Sequence, residues 1–112
     1  MGLESNFQSK LIKKLKKEYP GSIVTKLDAT HIQGIPDLLI LYNDRWAVLE
    51  CKRSAHESFR PNQPFYLEKM NKMSFASVIY PENEKEVLNE LQSALRPDRT
   101  ACVHEREQVS LD

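Results

Sequence analysis

Residues 34–52 read GIPDLLILYNDRWAVLECK, and this stretch decides the fold. Residues 37–42 form a short apolar run that is compatible with a buried strand. Residues 46–52 form a second strand candidate, and Asn43-Asp44 between the two favours a tight turn. The stretch therefore predicts an antiparallel hairpin, in which the start of the first strand lies beside the end of the second.

Three charged residues in this hairpin stand where the apolar pattern does not need them: Asp37, Glu50 and Lys52. Because side chains alternate between the two faces of a strand, Glu50 and Lys52 share one face and Cys51 points to the other, where we expect it to pack into the core. The hairpin also brings Asp37 close to Glu50. Two converging carboxylates repel each other unless a cation lies between them, and hard oxygen ligands of this kind suit Mg²⁺.

Lys52 beside these carboxylates would orient or deprotonate a metal-bound water, or stabilise negative charge that develops on a phosphate. A simpler interpretation stays open at this point. A Glu-x-Lys pair on a strand commonly forms an exposed cross-strand ion pair that contributes little to stability. Asp37, which follows Pro36, also suits the edge of a strand or a turn.

The rest of the chain completes a small α/β domain with a mixed central sheet flanked by helices. The predicted elements, in chain order, are a helix over residues 4–19, a strand over 22–27, the hairpin, a helix over 64–73, a strand over 75–80 and a helix over 82–95. The polar residues 54–61 predict a mobile loop. We expect residues 1–95 to form a single domain and residues 96–112 to form a polar tail that frays or packs against a partner chain.

The composition excludes several classes of function. The 112 residues carry 16 Lys and Arg and 16 Asp and Glu, so the formal charge of zero excludes a histone-like binder held by bulk charge. No apolar run approaches the roughly 20 residues that span a bilayer, and the N-terminus lacks the apolar core of a secretory signal. Cys51 and Cys102 form neither a CxxC pair nor a zinc spacing. We therefore expect a cytoplasmic protein with no membrane partner.

Three short motifs of this sequence resemble those of a known nuclease family. Residues 34–37 (GIPD) followed by residues 50–52 (ECK) resemble the signature of the PD-(D/E)xK nucleases, and residues 60–63 (RPNQ) resemble the next motif of its VRR-NUC branch. Small stand-alone members of that branch occur in phages and are similar to Holliday-junction resolvases. The acidic residue that the family carries on an earlier helix matches Glu4, and the resemblance covers about residues 4–82.

The resemblance implies a restriction-endonuclease-like core and metal-dependent hydrolysis of DNA. It implies that Asp37 and Glu50 bind Mg²⁺, or Mn²⁺ as a substitute, with the backbone carbonyl of Cys51 as a further ligand. Lys52 would position the attacking water, and Gln63 would assist from its helix. For Gln63, the alternative is an exposed residue at the start of a helix.

Glu4 would act as an additional catalytic acid, either through a metal-bound water or at a second metal. Its position equally suits a favourable negative charge at a helix N-terminus. Arg53 and Arg60 flank the predicted site and are candidates for holding backbone phosphates.

The residues and the resemblance together predict a metal-dependent DNA endonuclease that selects branched DNA, such as a Holliday junction, in the cytoplasm of a phage-infected or other cell. We expect a homodimer, because resolving a junction needs two symmetric cuts and C₂ symmetry supplies two sites. The alternatives are a general nicking nuclease, restriction-type enzyme or exonuclease of the same superfamily, a non-catalytic DNA-binding module with a nuclease-like fold, and an interaction domain whose three polar groups form a surface ion-pair cluster.

Overall fold

Within residues 3–96, the protein consists of a mixed four-stranded sheet packed against three α-helices. The helices and strands follow one another along the chain in the order that the sequence predicts. A computed structural model describes the backbone of residues 3–96 and the side chains of residues 6–96. The elements are α1 (Leu3–Glu18), β1 (Ile23–Lys26), β2 (Leu38–Tyr42), β3 (Arg45–Cys51), α2 (Gln63–Met73), β4 (Phe75–Ile79) and α3 (Glu84–Leu95).

The sheet has the strand order β1-β2-β3-β4. β2 and β3 form the predicted antiparallel hairpin, with Leu38 opposite Leu49 and a turn at Asn43, whose φ of 55° is a left-handed conformation that asparagine tolerates. β1 adds to β2 in the antiparallel sense, whereas β4 pairs with β3 in parallel. The parallel pairing arises because α2 carries the chain back to the end of the sheet at which β3 begins.

One face of the sheet carries the hydrophobic core, and α1 and α3 cover it. Leu11 and Leu15 of α1, and Tyr19 directly after the helix, are buried in this core. The core also contains Cys51, as predicted, from the side of β3 opposite Glu50. The other buried members of this core are Val24, Leu38, Ile40, Ala47, Leu49, Ile79, Val87, Leu91 and Leu95.

α2 runs along β4 and reaches the opposite face of β3 with its first residue. The backbone N–H of Ala76 in β4 donates a hydrogen bond of 3.1 Å to Oδ1 of Asn71 in α2. Within α2, Gln63 is the residue that is fully buried, whereas Phe65 and Met73 are exposed. A polar side chain therefore anchors the start of this helix.

The loop between β1 and β2 sets where α2 begins. Gly34 in this loop has a φ of 93°, and Asn62, which precedes α2, has a φ of 70°. A Cβ atom on Gly34 would lie 2.6 Å from both the carbonyl carbon and the Cβ of Asn62. The absence of a side chain at Gly34 is thus what allows the two backbones to touch.

The last helix begins later than the sequence predicts, and most of the predicted C-terminal tail lies outside the described residues. A short 3₁₀ helix, Pro81–Asn83, precedes α3, so the last α-helix begins at Glu84 and not at residue 82. Residues 97–112 of the predicted tail lie outside the described residues. Between residues 3 and 96, no helix has the length and apolar character that crossing a bilayer requires.

Replacing Gly34 by alanine should destabilise the fold more than the same change at Gly21. Both glycines have a positive φ, but a Cβ on Gly21 meets no atom within 4 Å. We expect Gly21→Ala to lower the free energy of unfolding by about 1–2 kcal/mol, the cost of a left-handed alanine. Gly34→Ala should cost about 1–3 kcal/mol more because of the clash with Asn62. Urea denaturation of both variants measures the difference, and equal losses would contradict the backbone contact.

Candidate active site

The hairpin brings two carboxyl groups together at its open end, where β2 begins and β3 ends. The register that pairs Leu38 with Leu49 places Asp37 opposite Glu50. Oδ2 of Asp37 accepts a hydrogen bond of 2.9 Å from the backbone N–H of Cys51, and the Glu50 carboxyl group is close enough to influence the pKa of Asp37. The predicted convergence of Asp37 and Glu50 is therefore present in the structure.

Lys52 lies beside this pair and is buried with it. Glu50 and Lys52 are each only 2% exposed, and Nζ of Lys52 lies 3.6 Å from Oε2 of Glu50. The backbone N–H of Lys52 donates to the carbonyl of Ile79 and so continues the pairing of β3 with β4. The interpretation of Glu50 and Lys52 as an exposed ion pair is therefore wrong, because both side chains are removed from solvent.

Gln63 joins the acid and the base through its amide group. Its Nε2 donates a hydrogen bond of 2.8 Å to Oε2 of Glu50, and its Oε1 accepts one of 2.8 Å from Nζ of Lys52. The same Oε1 accepts a bond of 2.7 Å from the backbone N–H of Arg60. Gln63 is 6% exposed, so the alternative of an exposed residue at the helix start is wrong.

The loop between β3 and α2 covers Lys52. The carbonyl of Ser58 accepts a hydrogen bond of 3.3 Å from Nζ of Lys52, and Oε2 of Glu57 lies 4.0 Å from the same nitrogen. The ring of Phe59 lies on another side of it. Sequence reasoning missed Glu57 and Phe59 because their loop has no periodicity. An aromatic residue within an otherwise polar stretch was the available signal.

The surroundings of Asp37 favour its neutral form in the absence of a cation. Burial raises the pKa of the Asp37 carboxyl above its ordinary value, and this effect outweighs those that oppose it. The opposing effects are the hydrogen bond from Cys51, the positive charges of Lys52 and Arg60, and the neighbouring carboxyl group of Glu50. A divalent cation at this position would favour the ionised carboxylate instead.

The donor set suits magnesium better than zinc. Within the described part of the chain, no group of three or more His, Cys, Asp and Glu side chains is arranged to hold a metal ion. A pair of carboxylates meets the requirement of Mg²⁺, which keeps several waters, but not that of a tetrahedral zinc site. The Asp37–Glu50 pair therefore fits Mg²⁺ or Mn²⁺. The carbonyl of Cys51 as a further ligand stays a prediction.

The remaining predicted residues are less closely tied to this cluster. Glu4 belongs to the first turn of α1, and its side chain lies outside the described residues, so its role stays a prediction. Arg53 is exposed and pairs through Nε with Oε1 of Glu57 at 3.4 Å. Arg60 is exposed, and its positive charge lowers the pKa of Asp37.

Comparison with known proteins adds no further support for a family. No family model, curated protein or solved structure matches this chain.

Replacing Asp37 by asparagine should stabilise the metal-free protein at neutral pH. Because folding raises the pKa of Asp37, its contribution to stability is fully present below the ordinary value of 3.8 and is lost as the pH rises through the folded-state pKa. Asparagine can still accept the Cys51 N–H but carries no charge. In EDTA, we expect Asp37→Asn to unfold at a higher urea concentration than wild type at pH 7, and the two curves to converge below about pH 4.

Asp44→Asn, in the exposed turn at the other end of the hairpin, is the control for loss of one negative charge. A lower stability of Asp37→Asn than of wild type at pH 7 would contradict the proposed cost of ionising Asp37.

Proposed function

We propose that this chain is a metal-dependent deoxyribonuclease that hydrolyses phosphodiester bonds in branched DNA. The observation that carries the proposal is the buried cluster in which one amide, Gln63, joins Lys52 to the Asp37–Glu50 pair. A structural ion pair with Lys52 needs only one carboxylate. A Mg²⁺ site uses one or two carboxylates together with oxygens of a substrate phosphate, so the second carboxylate beside Glu50 favours the metal-binding interpretation.

Each side chain of the cluster has a definable task in this reaction. Asp37 and Glu50 would hold the metal ion, which when bound supplies a Lewis acid and acidifies a coordinated water. Lys52 places its ammonium group next to the carboxylate pair, where it can orient the attacking water or stabilise charge on the phosphate. Gln63 fixes both Glu50 and Lys52, so their positions need little reorganisation during the reaction.

The topology supports the finer assignment of a restriction-endonuclease-like core. A helix is followed by three antiparallel strands, a second helix, a strand that pairs in parallel with β3, and a last helix. The acidic pair lies at the open end of the hairpin. The motifs that resemble the PD-(D/E)xK signature lie just before β2, at the end of β3 and at the start of α2. The order of elements and the motifs therefore favour the same interpretation.

The selection of branched DNA and the dimeric state belong to the same proposal. Residues 6–96, whose side chains the structure describes, carry one such cluster, whereas resolving a junction needs two symmetric cuts. A C₂ homodimer would present two clusters to the two strands. The balanced charge of the chain also favours recognition through shape and local phosphate contacts over bulk attraction.

Magnesium should stabilise the folded protein through the carboxylate pair. At a free Mg²⁺ concentration about 100 times its Kd, binding to the folded state adds about 2.7 kcal/mol to the free energy of unfolding. We expect this increase, measured by urea denaturation, for wild type and for Asp44→Asn, and its loss in Asp37→Asn and Glu50→Gln. An equal increase in all four proteins would place the metal elsewhere.

Cleavage of a synthetic four-way junction tests the reaction itself. Wild type should make paired, symmetric cuts with Mg²⁺ or Mn²⁺, and Asp37→Ala and Lys52→Ala should each lower the rate by at least about 100-fold. Linear duplex and single-stranded DNA of related sequence serve as comparison substrates, and Asp44→Asn as the control variant.

The pattern of cutting separates the alternatives. Equal cutting of all three substrates would support a general nuclease and contradict selection of branched DNA. Junction binding without cutting under either metal would contradict hydrolysis and favour a non-catalytic DNA-binding module.

A further inference from the structure

Phe59 is an aromatic residue whose side chain lies next to Lys52 in the candidate site. It is 47% exposed, and its ring centroid lies 5.3 Å from Nζ of Lys52, within the range of a cation–π contact. A half-exposed phenylalanine gains only part of the free energy of full burial. Its exposed part therefore remains available for contact with another molecule.

The backbone on both sides of Phe59 is bonded to the catalytic cluster. On one side, the carbonyl of Ser58 accepts a hydrogen bond from Lys52, and on the other, the N–H of Arg60 donates one to Gln63. These two bonds fix the loop at the residues that flank the ring. The position of Phe59 is therefore set relative to Lys52 and the acidic pair.

Arg60 follows Phe59 in the chain and adds a positive charge near the acidic pair. Its side chain is exposed, and its charge lowers the pKa of Asp37 against the effect of burial. A guanidinium group near a carboxylate pair that would hold a cation is suited to the non-bridging oxygens of a phosphate. The loop thus carries an exposed guanidinium group and an exposed aromatic ring on consecutive residues.

We propose that Phe59 stacks on an unpaired base next to the phosphate that this site binds. The inference rests on the proposed function and names the substrate class more narrowly: a strand whose nucleotide at the site is unpaired, as in a single strand or at an opened branch point. In a continuous duplex, neighbouring bases cover both faces of each base. An aromatic side chain stacks on a base outside such a stack without the cost of a few kcal/mol that unstacking a duplex step requires.

Binding of two DNA probes to substituted proteins tests this role. The probes are a short single strand that contains 2-aminopurine and a blunt hairpin duplex, both labelled for fluorescence anisotropy, with Ca²⁺ in place of Mg²⁺ to suppress cleavage. We expect Phe59→Ala and Phe59→Leu to weaken binding of the single strand by about 5- to 150-fold and to leave duplex binding almost unchanged. Phe59→Trp should restore the binding and the change in 2-aminopurine fluorescence that reports stacking.

Phe65→Ala is the matched control. Phe65 is 57% exposed, and it lies about 200° around α2 from Gln63, so it points away from the cluster. This variant should bind both probes as wild type does. Because leucine preserves an apolar cover over Lys52 but cannot stack as an aromatic ring, Phe59→Leu separates stacking from simple shielding of the lysine.

The results distinguish this inference from the proposed function. The stacking role would be overturned if Phe59→Leu binds the single strand as tightly as wild type does. It would also be overturned if this variant loses affinity equally for both probes, even if wild type cleaves DNA. A selective loss of the single strand with Phe59→Leu, restored by Phe59→Trp, would support it even if no substrate is cleaved.

Discussion

A single amide group, that of Gln63, holds the candidate site together. It donates to Glu50 and accepts from Lys52, two groups that the fold removes almost completely from water. Burying such ions is costly unless hydrogen bonds complete their shells, and removing one partner leaves the other uncompensated. Gln63 can bond both ions only if three segments are correctly placed: β3, the loop over Lys52 and the first turn of α2.

The start of α2 is determined by contacts outside the helix. Only a residue without a side chain at position 34 allows the loop after β1 to approach Asn62. Asn62, in a left-handed conformation, turns the chain into α2 and delivers Gln63 to the sheet. The short motif of residues 34–37 thus combines two tasks, since Gly34 shapes the backbone and Asp37 carries the charge.

β3 serves the core and the site at the same time. Ala47, Leu49 and Cys51 point into the core beneath α1 and α3, while Glu50 points to the opposite face. The core therefore forms a rigid support directly behind the charged groups. Burial at this position raises the pKa of Asp37 above its ordinary value.

The sequence by itself determined the hairpin and the convergence of Asp37 with Glu50. Both follow from local rules, since alternation assigns faces and a tight turn sets the register of the two strands. Sequence patterns did not determine that Glu50 and Lys52 are buried, or that Ser58 and Phe59 close over the lysine. Nor did they place the amide of Gln63 between the two charges, although its motif marked it as a candidate. These features depend on where α2 and its preceding loop pack against the sheet, and such contacts between distant segments leave no periodic pattern in the chain.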